Sequence, residues 1–173
     1  MKRRYKLIFD FSLPGEENRW EIMTDGVMGG ISQSQMSITS NKIAIFHGEV
    51  SLENYGGFAS IRSRPQKHQL DGFEGIALRV KGDGKKYRLR LKIDDEFEGV
   101  AYQASYTTQA ERWITVHLPF KAFIPVFRGH VVPEASKLEA SHIRRIGFMI
   151  ADKQAGPFNL EIDWVKAYTD NNL

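Results

Sequence analysis

Three aspartates sit in or beside glycine-bearing segments of the chain. Asp25 lies in Thr24-Asp25-Gly26-Val27-Met28-Gly29-Gly30, Asp83 in Gly82-Asp83-Gly84, and Asp152 in Ala151-Asp152-Lys153-Gln154, ahead of Gly156-Pro157. A carboxylate in such a place can cap its own turn through backbone N–H groups. It can also stand on a rim and take a ligand's donors. The paired glycines can adopt left-handed backbone and offer amides to an anion or a carbonyl. They do not form a P-loop, because no Gly-Lys-Ser/Thr ending and no helix follow. A second chemistry is cationic. Arg79, Lys81, Arg88, Arg90 and Lys92 alternate with apolar residues around Gly82–Gly84. If the two runs form one hairpin, the five cations share its outer face. Such a stripe suits phosphates or an acidic surface, although Asp94, Asp95, Glu96 and Glu98 follow and can neutralise it. A third chemistry is stacking: Trp20, Trp113 and Tyr102 are either platforms for sugar rings or core residues.

Catalytic signatures are absent from the sequence. The five histidines (His47, His68, His117, His130 and His142) are dispersed with no His-x-x-x-His pair, and no Gly-x-Ser-x-Gly elbow occurs. With no cysteine, a thiol nucleophile, thiolate zinc site and disulfide scaffold are excluded. The expectation is a non-enzyme without a cofactor; no spacing selects or excludes a metal. Basic residues exceed acidic ones by 24 to 21, a net charge of +3, too small an excess to call for nucleic acid. The stripe also lacks the interleaved exposed aromatics of nucleic-acid readers, since Tyr87 is in phase with the apolar face. No apolar run approaches the ~18 residues of a membrane span. In MKRRYKLIFDFS the apolar stretch stops at Asp10, which makes neither a signal nor a transit peptide. The expected location is cytoplasmic.

The elements that must position these residues are short strands. Ile76, Leu78 and Val80 alternate with polar or small residues, as do Tyr87, Leu89, Leu91 and Ile93, then Val100–Tyr106, then Ile114, Val116 and Leu118. Further strands are expected at Leu7–Phe11, Ile43–Phe46, Glu49–Leu52, Phe58–Arg62, Ile146–Ala151 and Phe158–Tyr168. The Gly82–Gly84, Asn54–Gly57 and Asp152–Gly156 turns read as hairpins. Pro133–Leu138 reads as a turn or two of helix. Many short strands without a parallel βαβ rhythm predict an all-β fold, a single antiparallel β-sandwich. One domain covers 1–173, with an ordered core over about 6–168. Leu78, Val80, Leu89, Leu91, Val116, Phe148, Ile150 and Ile162 are expected in its core.

Six segments, in order, resemble the complex I intermediate-associated protein 30 family. They are Trp20 with Asp25–Ser32; Phe46-His47-Gly48 with Gly56–Ser60; Val80–Gly84 with Tyr87; Trp113 with Pro119-Phe120 and Phe123; Phe127-Arg128-Gly129; and Ile146–Gln154 with Gly156-Pro157-Phe158. The resemblance implies a galactose-binding-domain-like jelly roll related to carbohydrate-binding modules. It also implies a chaperone-like role in assembling NADH:ubiquinone oxidoreductase (complex I), through contacts with a protein partner. It brings no catalytic residues. The alternative function is a carbohydrate-binding module. The expected binding surface is a loop rim of Trp20, Asp25, Met28, Arg62, Asp83 and Asp152, with turn capping by Asp25 and Asp83 left open beside it.

Overall fold

In the computed structural model, residues 3–170 are described, except for the side chains of Val27 and Met28. Thirteen strands run in the order β1 (Arg4–Leu7), β2 (Trp20–Thr24), β3 (Gln33–Ile38), β4 (Ala44–Val50), β5 (Ala59–Ser63), β6 (Gly75–Lys81), β7 (Lys86–Lys92), β8 (Ala101–Thr107), β9 (Trp113–Pro119), β10 (Ile124–Phe127), β11 (His130–Val131), β12 (Arg145–Ile150) and β13 (Gly156–Thr169). They make two antiparallel sheets. One has the order β3-β4-β13-β6-β9, with β1 also paired to β13; the other is seven-stranded, β11-β10-β8-β7-β12-β5-β2. The fold is the expected β-sandwich.

Period-two alternation sets which side of each strand meets the other sheet. On β7, Tyr87, Leu89 and Leu91 are fully buried while Arg88 and Arg90 point away. Leu78, Val80, Phe148, Ile150 and Ile162 are likewise fully buried, and Val116 packs half-buried against them. Phe46, Tyr87 and Phe158 pack edge-to-face between the sheets, with Phe46–Phe158 centroids 4.8 Å apart. Each such side chain contributes roughly 2–3 kcal/mol by leaving water.

The three expected hairpins are not hairpins. β6 pairs with β13 and β9, whereas β7 pairs with β8 and β12. The Gly82–Lys85 turn therefore carries the chain from one sheet to the other. β4 to β5 and β12 to β13 cross in the same way, as do β2 to β3 and β8 to β9. These five crossings lie at one end of the sandwich; β1 to β2, β5 to β6 and β9 to β10 also change sheet. A glycine-bearing turn reverses the chain equally well within a sheet or across a corner. Here the apolar faces of both flanking strands must meet the same core, and crossing achieves that. The 133–138 segment is irregular rather than helical, and the first strand ends at Leu7.

The corners are tied to one another by polar side chains. Asp83 accepts from the hydroxyl of Tyr87 (3.0 Å), from its own turn at Lys85 N–H (3.2 Å) and from Asn159 N–H (2.9 Å). Gln154 brackets Lys86, accepting from its N–H and donating to its carbonyl. Asp25, 0% exposed, accepts from the backbone N–H (3.0 Å) and hydroxyl (2.5 Å) of Ser32 and from the N–H groups of Gly57 (2.6 Å) and Phe58 (3.3 Å). A Cβ on Gly30 would lie 2.4 Å from the Asp25 carboxyl carbon, and one on Gly56 2.5 Å from its oxygen. The two glycines are where the backbone closes over the carboxylate, and Gly29 beside them takes left-handed backbone (φ +87°).

Burial is the largest influence on Asp25 and would raise its pKa. The hydrogen bonds from Ser32, Gly57 and Phe58 together outweigh it and hold the carboxyl below its usual value. A folded pKa below the unfolded one gives stability that is present above the unfolded value near ~3.9 and lost as pH falls through the folded one. Asp25→Asn is expected to lower unfolding free energy by roughly 2 kcal/mol at neutral pH, because an amide turns a donor toward donors. Denaturant melts as a function of pH check this: the gap between wild type and variant should narrow below about pH 4. An unchanged melt at pH 7 contradicts it.

Candidate functional site

The strands that bury Leu89, Leu91, Ile61, Phe148 and Ile146 present their alternate positions on the outer face of the seven-stranded sheet. One row crosses this face in register: Glu21 on β2, Arg62 on β5, Gly147 on β12, Arg90 on β7 and Gln103 on β8. Met149, Arg88 and Ser105 form the next row, and Arg145 stands opposite Lys92. The face thus gathers five cations: Arg62, Arg88, Arg90, Lys92 and Arg145.

Three carboxylates meet four of these cations. Glu21 bridges Arg145 (2.9 Å) and Arg62 (3.3 Å). Asp152 pairs with Arg88 at 2.6 Å, and Asp94 with Lys92 at 3.6 Å. Burial would push the Glu21 carboxyl up, but the two guanidinium groups hold it below its usual value. Arg62 also donates to the Phe97 carbonyl (2.9 Å) and lies over the Phe97 ring. Among the described residues, Arg90 has neither a carboxylate nor a hydrogen-bond partner. Burial, with Arg88 and Arg62 adding like charge, pushes its pKa down to about 10. Nε of Arg90, Nε of Arg145 and Nη2 of Arg62 are buried donors without an acceptor.

The six residues expected on one rim are divided. Asp25, Asp83 and Asp152 do share the end where the corners cross, but Asp25 is enclosed and Asp83 is spent on Tyr87, Lys85 and Asn159. Trp20 lies at the other end of β2, 7% exposed and packed on Phe9 and Phe148. The side chain of Met28 lies outside the described residues. Arg62 and Asp152 belong to the basic face. The expected stripe is likewise split. Arg79 and Lys81 stand on the opposite sheet, over the ring of Trp113 at 6.0 and 5.5 Å. Of the acids after the stripe, only Asp94 pairs with it; Asp95 pairs with Arg144 and Glu98 with Arg128. Sequence reasoning missed Glu21, Arg145 and Gly147. Their signal was phase: Arg145 and Gly147 alternate with Ile146, Phe148 and Ile150. No group of three His, Asp or Glu able to hold a metal occurs among the described residues. None of their helices is long and apolar enough to cross a membrane.

The family model described as complex I intermediate-associated protein 30 matches residues 9–162. The chain belongs to this family. Relatives named complex I intermediate-associated protein 30, mitochondrial, include those of Drosophila melanogaster and Mus musculus. The fly protein is 25% identical, with 92% of this chain and 61% of that protein covered. The mouse protein is 26% identical, with 95% and 56% covered. The chain therefore spans somewhat over half the length of these relatives. Among solved structures, the family 11 carbohydrate-binding module of Clostridium thermocellum, in complex with a β-1,3-1,4-mixed-linked tetrasaccharide, superposes with a TM-score of 0.73 at 19% identity, covering 94% of each chain. A family 29 carbohydrate-binding module reaches 0.53 at 15% identity, covering 98% of this chain and 90% of that one. These likenesses establish the jelly-roll fold of carbohydrate-binding modules for this family member. The mitochondrial names of the relatives overturn the cytoplasmic expectation. An address is carried by segments a receptor reads, and the strands and faces of the domain do not encode it.

Arg90 is a desolvated cation held between like charges, so its replacement is expected to relieve the fold. Arg90→Met should raise unfolding free energy by about 1 kcal/mol, measured by urea denaturation at pH 7. A loss of stability of similar size contradicts the absence of an internal partner.

Proposed function

We propose that the chain is a non-catalytic binding module that serves assembly of NADH:ubiquinone oxidoreductase by holding a protein partner against the outer face of the seven-stranded sheet. The observation that carries this reading is the lining of that face. Guanidinium and ammonium groups occupy it where sugar recognition calls for flat aromatic platforms. The expected platforms support the same reading. Trp20 and Tyr102 are 7% and 2% exposed, and the half-buried Trp113 has Arg79 and Lys81 over its ring. Phe97 is more than half exposed, but Arg62 covers one side of it. Membership in the complex I intermediate-associated protein 30 family supports the assembly role, and the names of its relatives describe an association with complex I intermediates rather than a reaction.

The carbohydrate-binding alternative rests on the likeness to a module solved with a tetrasaccharide. One experiment separates the two. The tagged chain, expressed in its native host and purified at low salt, is expected to co-purify identified subunits of NADH:ubiquinone oxidoreductase. The mixed-linked tetrasaccharide should give no calorimetric binding signal at millimolar concentration. Micromolar sugar binding without complex I subunits would overturn the assignment.

A further inference from the structure

We infer that Arg90, standing beside the gap that Gly147 leaves between it and Arg62, forms a subsite for a carboxylate side chain of an acidic partner segment lying across the seven-stranded sheet. The inference rests on the proposed function only in taking the partner to be a protein.

The geometry begins with Gly147. It is the outward position of a central strand, between Arg62 on one side and Arg90 on the other. Any side chain here would fill the space between the two guanidinium groups; even a Cβ would come within 2.7 Å of the Ile61 carbonyl and 3.1 Å of the Arg62 Cβ. The gap is therefore part of the backbone design. Its cross-strand neighbours give Arg90 no acid: Gly147 on one side and Gln103 on the other. Around it, Arg62, Arg88, Lys92 and Arg145 each already meet a carboxylate. Three carboxylates serve those four cations, and none among the described residues serves Arg90. Its Nε is buried without a partner, and its Nη atoms, also unpartnered, reach solvent. The neighbouring orphan donors, Nη2 of Arg62 and Nε of Arg145, show the same shortage of acceptors.

Charge complementarity selects the occupant. Each paired cation here meets a carboxylate, Arg62 and Arg145 sharing Glu21, and among the described residues Arg90 alone of the five meets none. A phosphate dianion needs several converging donors, but the strand amides around Arg90 are committed to the sheet ladders. Nucleic acid calls for exposed aromatics between the charges, and an acidic polysaccharide calls for ring platforms. The outward positions around Arg90 are Arg88, Gln103, Ser105 and Gly147, which supply neither, and Phe97, the exposed ring beside Arg62, has that guanidinium over it. An Asp or Glu of an extended segment supplies one carboxylate, which a guanidinium fork can grip with two parallel hydrogen bonds. The face is open, so affinity must come from further contacts along the segment rather than from enclosure.

The test uses the full chain and a blocked oligoglutamate peptide, followed through the Nε–H resonances of arginine and by calorimetry. The expected result is a shift of the Arg90 signal, binding that weakens with added salt, and a loss of about tenfold or more in Arg90→Gln. Arg79→Gln, on the opposite sheet, should bind as wild type does. Arg90→Lys keeps the charge without the fork and should bind several-fold more weakly, which covers the case of a poorly folded glutamine variant. Equal binding by Arg90→Gln and wild type overturns the subsite. So does a larger Arg90 shift with inorganic phosphate or trigalacturonate than with the peptide at equal charge. Recovery of complex I subunits by wild type and Arg90→Gln alike also overturns it, while leaving the proposed function in place. Peptide binding lost in Arg90→Gln, with no complex I subunits recovered by wild type, supports the subsite and removes the proposed function.

Discussion

The Asp25 carboxylate is buried, and it keeps its charge because four donors from two loops point at it. Ser32 brings the loop that leaves β2, and Gly57 and Phe58 bring the loop that enters β5. The serine hydroxyl also accepts from Ser51 N–H, so the loops are tied twice. Side chains at Gly30 or Gly56 would collide with the carboxylate, which makes the glycines and the aspartate one unit. Loss of the charge leaves several buried donors unsatisfied, at a cost comparable to a sizeable part of a domain's net stability. The β2 and β5 strands anchored there carry Glu21 and Arg62. The basic face therefore depends on a group that does not itself touch it.

From this end the rest follows by phase. Five corners at this end, with three further links, carry the chain between sheets, so that each strand's apolar side meets one core. The opposite side is left with whatever residues alternate with it. On the seven-stranded sheet those residues include Arg62, Arg88, Arg90 and Arg145, held in a partly desolvated array. Burial lowers the pKa of Arg62, Arg90 and Lys92, and like charges add to it. Natural folds retain such electrostatic strain at binding and functional sites. The +3 net charge of the chain conceals this concentration, because the remaining acids and bases largely cancel elsewhere.

Much of the fold was legible in the chain. The alternation at Tyr87, Leu89 and Leu91 fixed both the core side and the outward direction of Arg88 and Arg90. What alternation could not show was the partner of each strand. Gly82-Asp83-Gly84 announces a reversal but not a change of sheet, and so Arg79 and Lys81 were joined to a stripe from which a whole sandwich separates them. Asp25 and Asp83 read in the sequence as rim residues, with capping left open beside that; the structure places both in hydrogen-bonded corners. The isolation of Arg90 was illegible because it depends on Gly147 and Gln103, residues that only strand pairing brings beside it. Glu21 was invisible for the same reason, since Arg62 and Arg145 reach it from distant parts of the sequence.

The central claim is that the domain meets its partner with the outer face of the seven-stranded sheet. Arginine-selective modification, read by mass spectrometry on the free chain and on the chain recovered with complex I assembly intermediates, tests it most directly. The account predicts that Arg62, Arg88 and Arg90 become protected in the complex, while Arg79 and Arg112, on and beside the opposite sheet, react as in the free chain. Protection of Arg79 and Arg112 with Arg88 and Arg90 still reactive would contradict it.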